Sequence, residues 1–340
     1  MSWQQILGTQ WTITEQYEAL APQNDINGDT VAIPLPSLIQ IEASGEDVTD
    51  FLQGQFSNDI KVLDDAHWQF SAYCTPKGRM LALMMVTKHG DSYRLILPTE
   101  IAETTLKRLQ MYVMRAKVTL RLCDDELLLG LAGDNLQALV PVIPQDSHGV
   151  SHEQDLSILT MPGASPRILV SGDKEQISNL WATSTANATA SNSMTWRKLN
   201  IDSGLPQVYE ASKEMFIPQM VNMDALDGIN FKKGCYPGQE IVARMHYLGK
   251  LKKRMYLGAL QSGVDCPQVG DAIYSDSFGS QAAGNVVDAA IKTDGQCELL
   301  ISVQISSASN NDLHLQSIDG PAVTLSSQPY SIPDNTDNKK

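Results

Sequence analysis

The sequence predicts an α+β protein of two or three domains that ends in a small antiparallel barrel or sandwich. Three observations carry this reading. The chain has 340 residues, more than one hydrophobic core usually supports. Up to residue 131, strand-like and helix-like patterns follow a β-α-β-β-α-β order, which suits α+β domains rather than a doubly wound parallel sheet. From about residue 251 the pattern changes to short strands separated by Gly, Asp, Asn and Ser.

Taken in order, residues 38–43 (L-I-Q-I-E-A) read as a strand. Ser44 and Gly45 then lead into E-D-V-T-D-F-L-Q-G, where Val48, Phe51 and Leu52 fall at helical spacing. Residues 68–75 and 79–87 form a predicted hairpin around P-K-G-R, in which Gly78 can take a positive φ. A strand at 93–97 runs into a helix for which Thr99 is the expected cap, with Ile101, Leu106 and Leu109 on its apolar side. Two further strands are expected at 118–122 and 127–131. The small polar stretch at 182–193 reads as a surface loop. After it, M-T-W-R-K-L-N-I-D-S-G-L-P reads as a short helix stopped by Gly204 and Pro206. The last eight residues, P-D-N-T-D-N-K-K, read as a disordered tail.

Composition excludes several classes. Hydrophobic residues at 42% and charged residues at 19% are ordinary for a soluble globular protein. There is no run of about 18 apolar residues, so no membrane span is expected. The N-terminus lacks the basic-then-apolar order of an export signal, which makes the cytoplasm the default location. Five cysteines, Cys74, Cys123, Cys235, Cys266 and Cys297, lie far apart and are odd in number. With no C-x-x-C pair or Cys/His cluster, neither a metal site nor a disulfide framework is expected, and free thiols in a reducing compartment fit better.

The net charge of −14 argues against broad binding of nucleic acid. Yet seven of the 25 basic residues fall between 232 and 254, against one acid, Glu240. These are Lys232, Lys233, Arg244, Lys250, Lys252, Lys253 and Arg254. The window reads either as a face for an anion or a partner, or as a solvated basic strand.

Cys235, in K-K-G-C-Y-P-G-Q-E, is the strongest local signal. Gly234 and Gly238 bracket it, so the backbone can turn tightly or approach a ligand. Pro237 suits the first turn of a helix starting at Q-E-I-V-A-R-M. Helix N-terminus and nearby ammonium groups both favour an anion, so Cys235 is a candidate nucleophile or redox thiol. A buried, inert cysteine is the alternative.

The segment F-K-K-G-C-Y-P-G-Q-E-I-V-A-R resembles the signature of the YgfZ family, relatives of the glycine-cleavage T-protein, in which this cysteine is the functional residue. F-L-Q-G-Q-F-S-N-D at 51–59, W-R-K-L-N-I-D-S-G-L-P at 196–206 and F-I-P-Q-M-V-N-M at 216–223 resemble it too, and Q-P-Y-S at 328–331 weakly. The resemblance implies a three-lobed, T-protein-like fold: two intertwined, ferredoxin-like α+β lobes over residues 1–248, an antiparallel β-barrel over 249–332 and a tail from 333. It also implies a folate pocket and a role in tRNA modification, particularly thiomethylation, and in maintaining iron–sulfur enzymes. The partners implied are folate, and iron–sulfur tRNA-modifying enzymes or tRNA.

Residue by residue, Trp196 falls on a tryptophan that the family assigns to folate, where an indole can stack on a pterin or benzoyl ring. Leu38 replaces a second family tryptophan when the Q-G-Q segments are aligned without gaps. Asp202 sits where T-proteins carry a glutamate that contacts the pterin; a carboxylate can accept from the ring's donor pair. Core packing for Trp196 and helix termination for Asp202 are the alternatives. T-proteins place an acidic pair in the hairpin where Leu81 and Ala82 stand here, and an apolar pair cannot guide a proton. Aminomethyl transfer is therefore not expected. The basic window either holds the anionic tail of a polyglutamylated folate or contacts RNA or a partner, and the acidic body favours the short anion.

Overall fold

In a computed structural model, residues 2–21, 30–153, 155–292 and 295–333 are described. The expected tail beyond Pro333 lies outside the described residues. The chain forms two compact units. The first takes Met1–Leu52, Ile60–Gln69 and Met84–Trp196; the second takes Gln53–Asp59, Phe70–Leu83 and Arg197–Lys340. Residues 248 and 249, where the sequence places a boundary, both fall in the second unit.

The chain opens with α1 (Trp3–Leu7) and a ribbon of β1 (Thr12–Ile13) and β2 (Ala19–Leu20). β3 (Thr30–Pro34), β4 (Leu38–Ser44), α2 (Val48–Gln53), β5 (Trp68–Cys74), β6 (Met80–His89) and β7 (Ser92–Pro98) follow. Then come α3 (Thr99–Val113), β8 (Thr119–Leu122), β9 (Glu126–Gly133), β10 (Val150–Glu153), β11 (Leu156–Thr160), β12 (Arg167–Asp173), α4 (Lys174–Thr185), β13 (Thr189–Ala190) and α5 (Ser193–Asp202). One sheet has the order β5-β6-β7-β4-β8 and the other β10-β11-β12-β9-β3-β13. The described pairings are antiparallel except β13 against β3, so the sheets are mixed or antiparallel rather than doubly wound. Leu129, Leu131, Ile158, Ile168 and Val170 bury their side chains against Ile177, Leu180 and Trp181 of α4. That contact is why this alternating sheet carries a helix.

Two expectations need correction here. Thr99 does not cap α3: the cap position is Pro98, with no side-chain cap, and the Thr99 hydroxyl donates to the Pro36 carbonyl at 2.8 Å. The stretch 182–193 is not one surface loop. α4 runs to Thr185, β13 pairs in parallel with Val31 and Ala32, and Ser191, Asn192 and Ser193 are buried. The Ser193 hydroxyl donates to Pro34 and accepts from the Ala19 amide, both at 2.9 Å. Small polar side chains can be buried when the backbone satisfies them, and composition does not reveal that.

The second unit contains the β5–β6 turn, α6 (Gln239–Tyr247) and a six-stranded sheet. Its strands are β14 (Lys253–Leu260), β15 (Ala272–Ser275), β16 (Gly279–Ile291), β17 (Cys297–Gln304), β18 (Leu313–Leu315) and β19 (Thr324–Ser326), with α7 (Ile305–Asn310) after β17. The order is β18-β15-β16-β17-β14-β19, antiparallel throughout, with register shifts between Ile273 and Ser275 and between Val286 and Asp288. The antiparallel strands expected from about 251 thus begin at Lys253. Leu260, Ile273, Val286, Leu299, Ile301 and Val303 form their core.

This sheet corrects the thiol expectation. Cys266 and Cys297 form a disulfide, with their Cα atoms 5.5 Å apart, inside the usual range for such bonds. Cys297 opens β17 opposite Leu260, the end of β14, and Cys266 follows that end by six residues. The chain therefore returns past its neighbouring strand, a proximity that a separation of 31 residues hides.

Candidate functional site

The loop 230–238 carries Cys235, and its position depends on one buried cation. The Lys233 ammonium donates to the carbonyls of Gln53, Phe56 and Asn58 at 2.8, 2.6 and 2.7 Å. It also lies 5.4 Å from the centre of the Tyr236 ring. Burial pulls its pKa down to about 8, with the charge of Asp59 acting the other way. The three carbonyls also favour the cation, because only the ammonium has three N–H groups to give. Around this clasp, Asn230 Oδ1 accepts from the amides of Lys232 and Lys233. The Ser57 hydroxyl donates to Gly228, and Asn58 Nδ2 donates to Phe70 and Asp227. The Q-G-Q-F-S-N and K-K-G-C segments, far apart in sequence, are thus tied into one structure.

The far end of the loop is set by Gly238, the α6 cap, at φ +84°. A Cβ there would stand 2.5 Å from the Thr75 carbonyl oxygen and 2.6 Å from Gly78 Cα. Pro237 lies one residue before this cap rather than in the first turn of the helix. Between these anchors, Cys235 is exposed. Cys74 and Cys123 are buried, and desolvation pushes both thiols up to about 12. We expect Cys235 to be the thiol that a maleimide labels first in the native protein, with Cys74 and Cys123 reacting only on unfolding. Mass mapping of an early labelling time that finds Cys74 or Cys123 modified first would show this ordering to be wrong.

The supportive segments are scaffolding. Gln219 donates to the Val242 carbonyl of α6 at 2.6 Å, and Asn222 to the Met255 carbonyl at 2.9 Å. The Tyr330 hydroxyl, from Q-P-Y-S, donates to the Gly204 carbonyl at 2.8 Å.

On α5, Trp196 is 3% exposed. Gly130 of β9 lies against its ring, where an added Cβ would come within 2.6 Å of Cε3, and the Arg167 guanidinium stands 5.1 Å from the ring centre. Asp202, at the other end of α5, pairs with Lys198 at 2.6 Å, and Lys198 also reaches Glu298 at 3.5 Å. Burial, followed by hydrogen bonding with Glu298, pushes Asp202 up to about 6. Leu38 is buried on β4 opposite Pro98, and Leu81 and Ala82 are buried on β6.

The basic window divides. Lys232, Arg244, Lys250 and Lys252 are exposed and Lys253 is half-buried. Lys233 turns inward as described. Arg254 is 4% exposed, and its guanidinium grips Asp224 at 2.5 and 2.9 Å. Sequence reasoning missed Phe231, His246 and Tyr247, which form an aromatic cluster at the two ends of the segment. The H-Y pair closing a helix among lysines was the available signal. Among the described residues, no group of three or more His, Cys, Asp or Glu could hold a metal ion, and no helix is long and apolar enough to cross a membrane.

Comparison with known proteins adds to this geometry. No family model matches the chain. It is similar to the tRNA-modifying protein YgfZ of Sodalis glossinidius, 32% identical over 319 residues, covering 88% of this chain and 96% of that protein. The tRNA-modifying protein YgfZ of Klebsiella pneumoniae is 33% identical over 304 residues, covering 86% and 90%. Among solved structures, glycine cleavage system aminomethyltransferase T from Bartonella henselae matches with a TM-score of 0.72 at 12% identity, covering 96% of this chain and 95% of that one. The last likeness shows a shared fold.

Proposed function

The chain belongs to the YgfZ family, and from that premise we propose a folate-binding accessory protein of tRNA modification with Cys235 as its redox or transfer thiol. The modification is thiomethylation, the enzymes supported are iron–sulfur enzymes, and the compartment is the cytoplasm. The three-lobed arrangement with a closing barrel belongs to this same reading. One observation carries it: Cys235 is exposed, while the loop around it is held by three charge-assisted hydrogen bonds. A cysteine kept for packing is buried, as Cys74 and Cys123 are. The Cys266–Cys297 bond is unusual for a reducing compartment; Cys297 is fully buried, which limits access by reductants.

The test is genetic. In a strain lacking the gene, wild-type protein restores tRNA thiomethylation and Cys235→Ala does not, at equal protein level. Full rescue by Cys235→Ala would favour a non-catalytic scaffold that holds a protein or tRNA through the basic window. A folate-dependent transferase or demethylase is the other rival. The buried Leu81 and Ala82 supply no carboxylate for it, and turnover of methylated amines with tetrahydrofolate would establish it.

The donor set fits folate in part. Asp202 offers a half-exposed carboxylate suited to a pterin's paired N–H donors. Trp196, nearly covered, offers no open stacking face. Leu38 leaves the second aromatic unreplaced. Because Asp202 must be ionised to accept, folate affinity falls as pH drops through about 6. Asp202→Asn removes that dependence, as fluorescence titration across pH would read; an unchanged pH profile in the variant takes Asp202 out of the pocket.

A further inference from the structure

Phe231 and His246 stack face to face, ring centres 3.7 Å apart and planes 13° from parallel. Tyr247 meets both edge-on, at 6.2 and 4.7 Å. The cluster joins the start of the Cys235 loop to the end of α6. Its outer end is open: Tyr247 is 54% exposed and Leu248 is 85% exposed. Burial keeps His246 below its ordinary pKa, so its ring stacks uncharged at neutral pH. Every exposed cation of the window lies within four residues of this cluster or of Leu248. Lys232 adjoins Phe231, Arg244 sits two before His246, and Lys250 and Lys252 follow Leu248 by two and four. Two acids lie nearby and offset part of this charge. Asp224 is held by Arg254, and Glu240 stands one turn before Arg244 on α6.

We propose that the Tyr247–Leu248 tip, backed by the Phe231–His246 stack and flanked by these cations, is a platform for unpaired bases of an RNA strand. Exposed rings interleaved with cations are how sequence-tolerant single-strand sites are built, since every base has a π-face and every link a phosphate. A polyglutamate tail has the charge for this surface but carries no ring of its own, because folate's pterin and benzoyl rings both lie at the other end of that molecule. An overall charge of −14 repels a long duplex, whereas a single-stranded loop meets only the local patch. The inference rests on the tRNA-modification reading and names the surface through which tRNA is engaged.

The test uses the full chain, a fluorescein-labelled unstructured RNA oligonucleotide and the same sequence as a duplex. The single strand binds more tightly than the duplex, and Tyr247→Ala weakens it about tenfold or more. Lys250→Gln with Lys252→Gln lowers the slope of log affinity against log salt by about 0.7 per lysine. Equal affinity of Tyr247→Ala and wild type for the single strand, or preference for the duplex, overturns the platform. So does a Tyr247→Ala protein that binds RNA normally yet fails to rescue tRNA modification, which assigns the surface to a protein partner instead. Wild-type protein that rescues modification but has no affinity for the single strand removes the platform and leaves the functional reading intact. Binding through Tyr247 without any effect of the gene on tRNA modification does the reverse.

Discussion

Lys233→Met lowers the stability of the folded protein by about 3–5 kcal/mol, because three buried carbonyls lose a charged donor together. Each of those carbonyls, on Gln53, Phe56 and Asn58, lies within 2.8 Å of the ammonium. A methionine fills the volume but gives none of them a hydrogen. Lys232→Met, one residue away and exposed, shifts stability by no more than about 0.5 kcal/mol. Denaturant titration of the two variants side by side is the measurement. Equal midpoints would show that the clasp does not hold the loop. The same side chain carries a pH signature. Its folded pKa, about 8, lies below the ordinary 10.5, so the unfolded chain binds its proton more tightly between those values. The stability from this shift is fully present above about 10.5 and is lost as pH falls through about 8. The gap between wild type and Lys233→Met therefore widens as pH rises across that window.

Gly238→Ala is the second large effect, about 3 kcal/mol or more. A left-handed φ costs a side chain about 1–2 kcal/mol, and the new Cβ meets backbone atoms of Thr75 and Gly78, which cannot swing aside. The variant should melt earlier and fail to restore tRNA modification. Gly234, the other glycine of the motif, has nothing within 4 Å of an added Cβ. Gly234→Ala therefore leaves stability within about 0.5 kcal/mol of wild type. A Gly234→Ala protein that is stable but inactive would locate a ligand or partner against that backbone, whereas a destabilised one would show the space to be occupied. A Gly238→Ala protein with an unchanged melting curve would contradict the crowding seen here.

Much of the fold was legible because local periodicity dictates it. Val48, Phe51 and Leu52 recur at helical spacing and bury one face of α2. The P-K-G-R turn reads as a hairpin because Gly78 accepts the positive φ that the turn requires, +70° here. The errors fall where a distant segment overrides local preference. At 182–193, small polar residues read as loop, yet β3 offers an edge to which two of them add. Thr99 has the chemistry of a cap, but the Pro36 carbonyl takes its hydroxyl first. The disulfide was hidden because only the pairing of β14 with β17 brings Cys266 near Cys297.

The candidate site divides along the same line. By itself the sequence determined that Cys235 lies in a glycine-bracketed, lysine-rich turn before a helix, since each of those features is local chemistry. Only the tertiary structure decided which lysines serve the fold and which face water. Lys232 and Lys233 are neighbours of the same type, yet one is exposed and the other is sealed beneath the loop by carbonyls some 175 to 180 residues away. The physical reason is that a buried ammonium is tolerated only where backbone acceptors replace its water. Those acceptors come from a segment whose position the chain acquires only on folding.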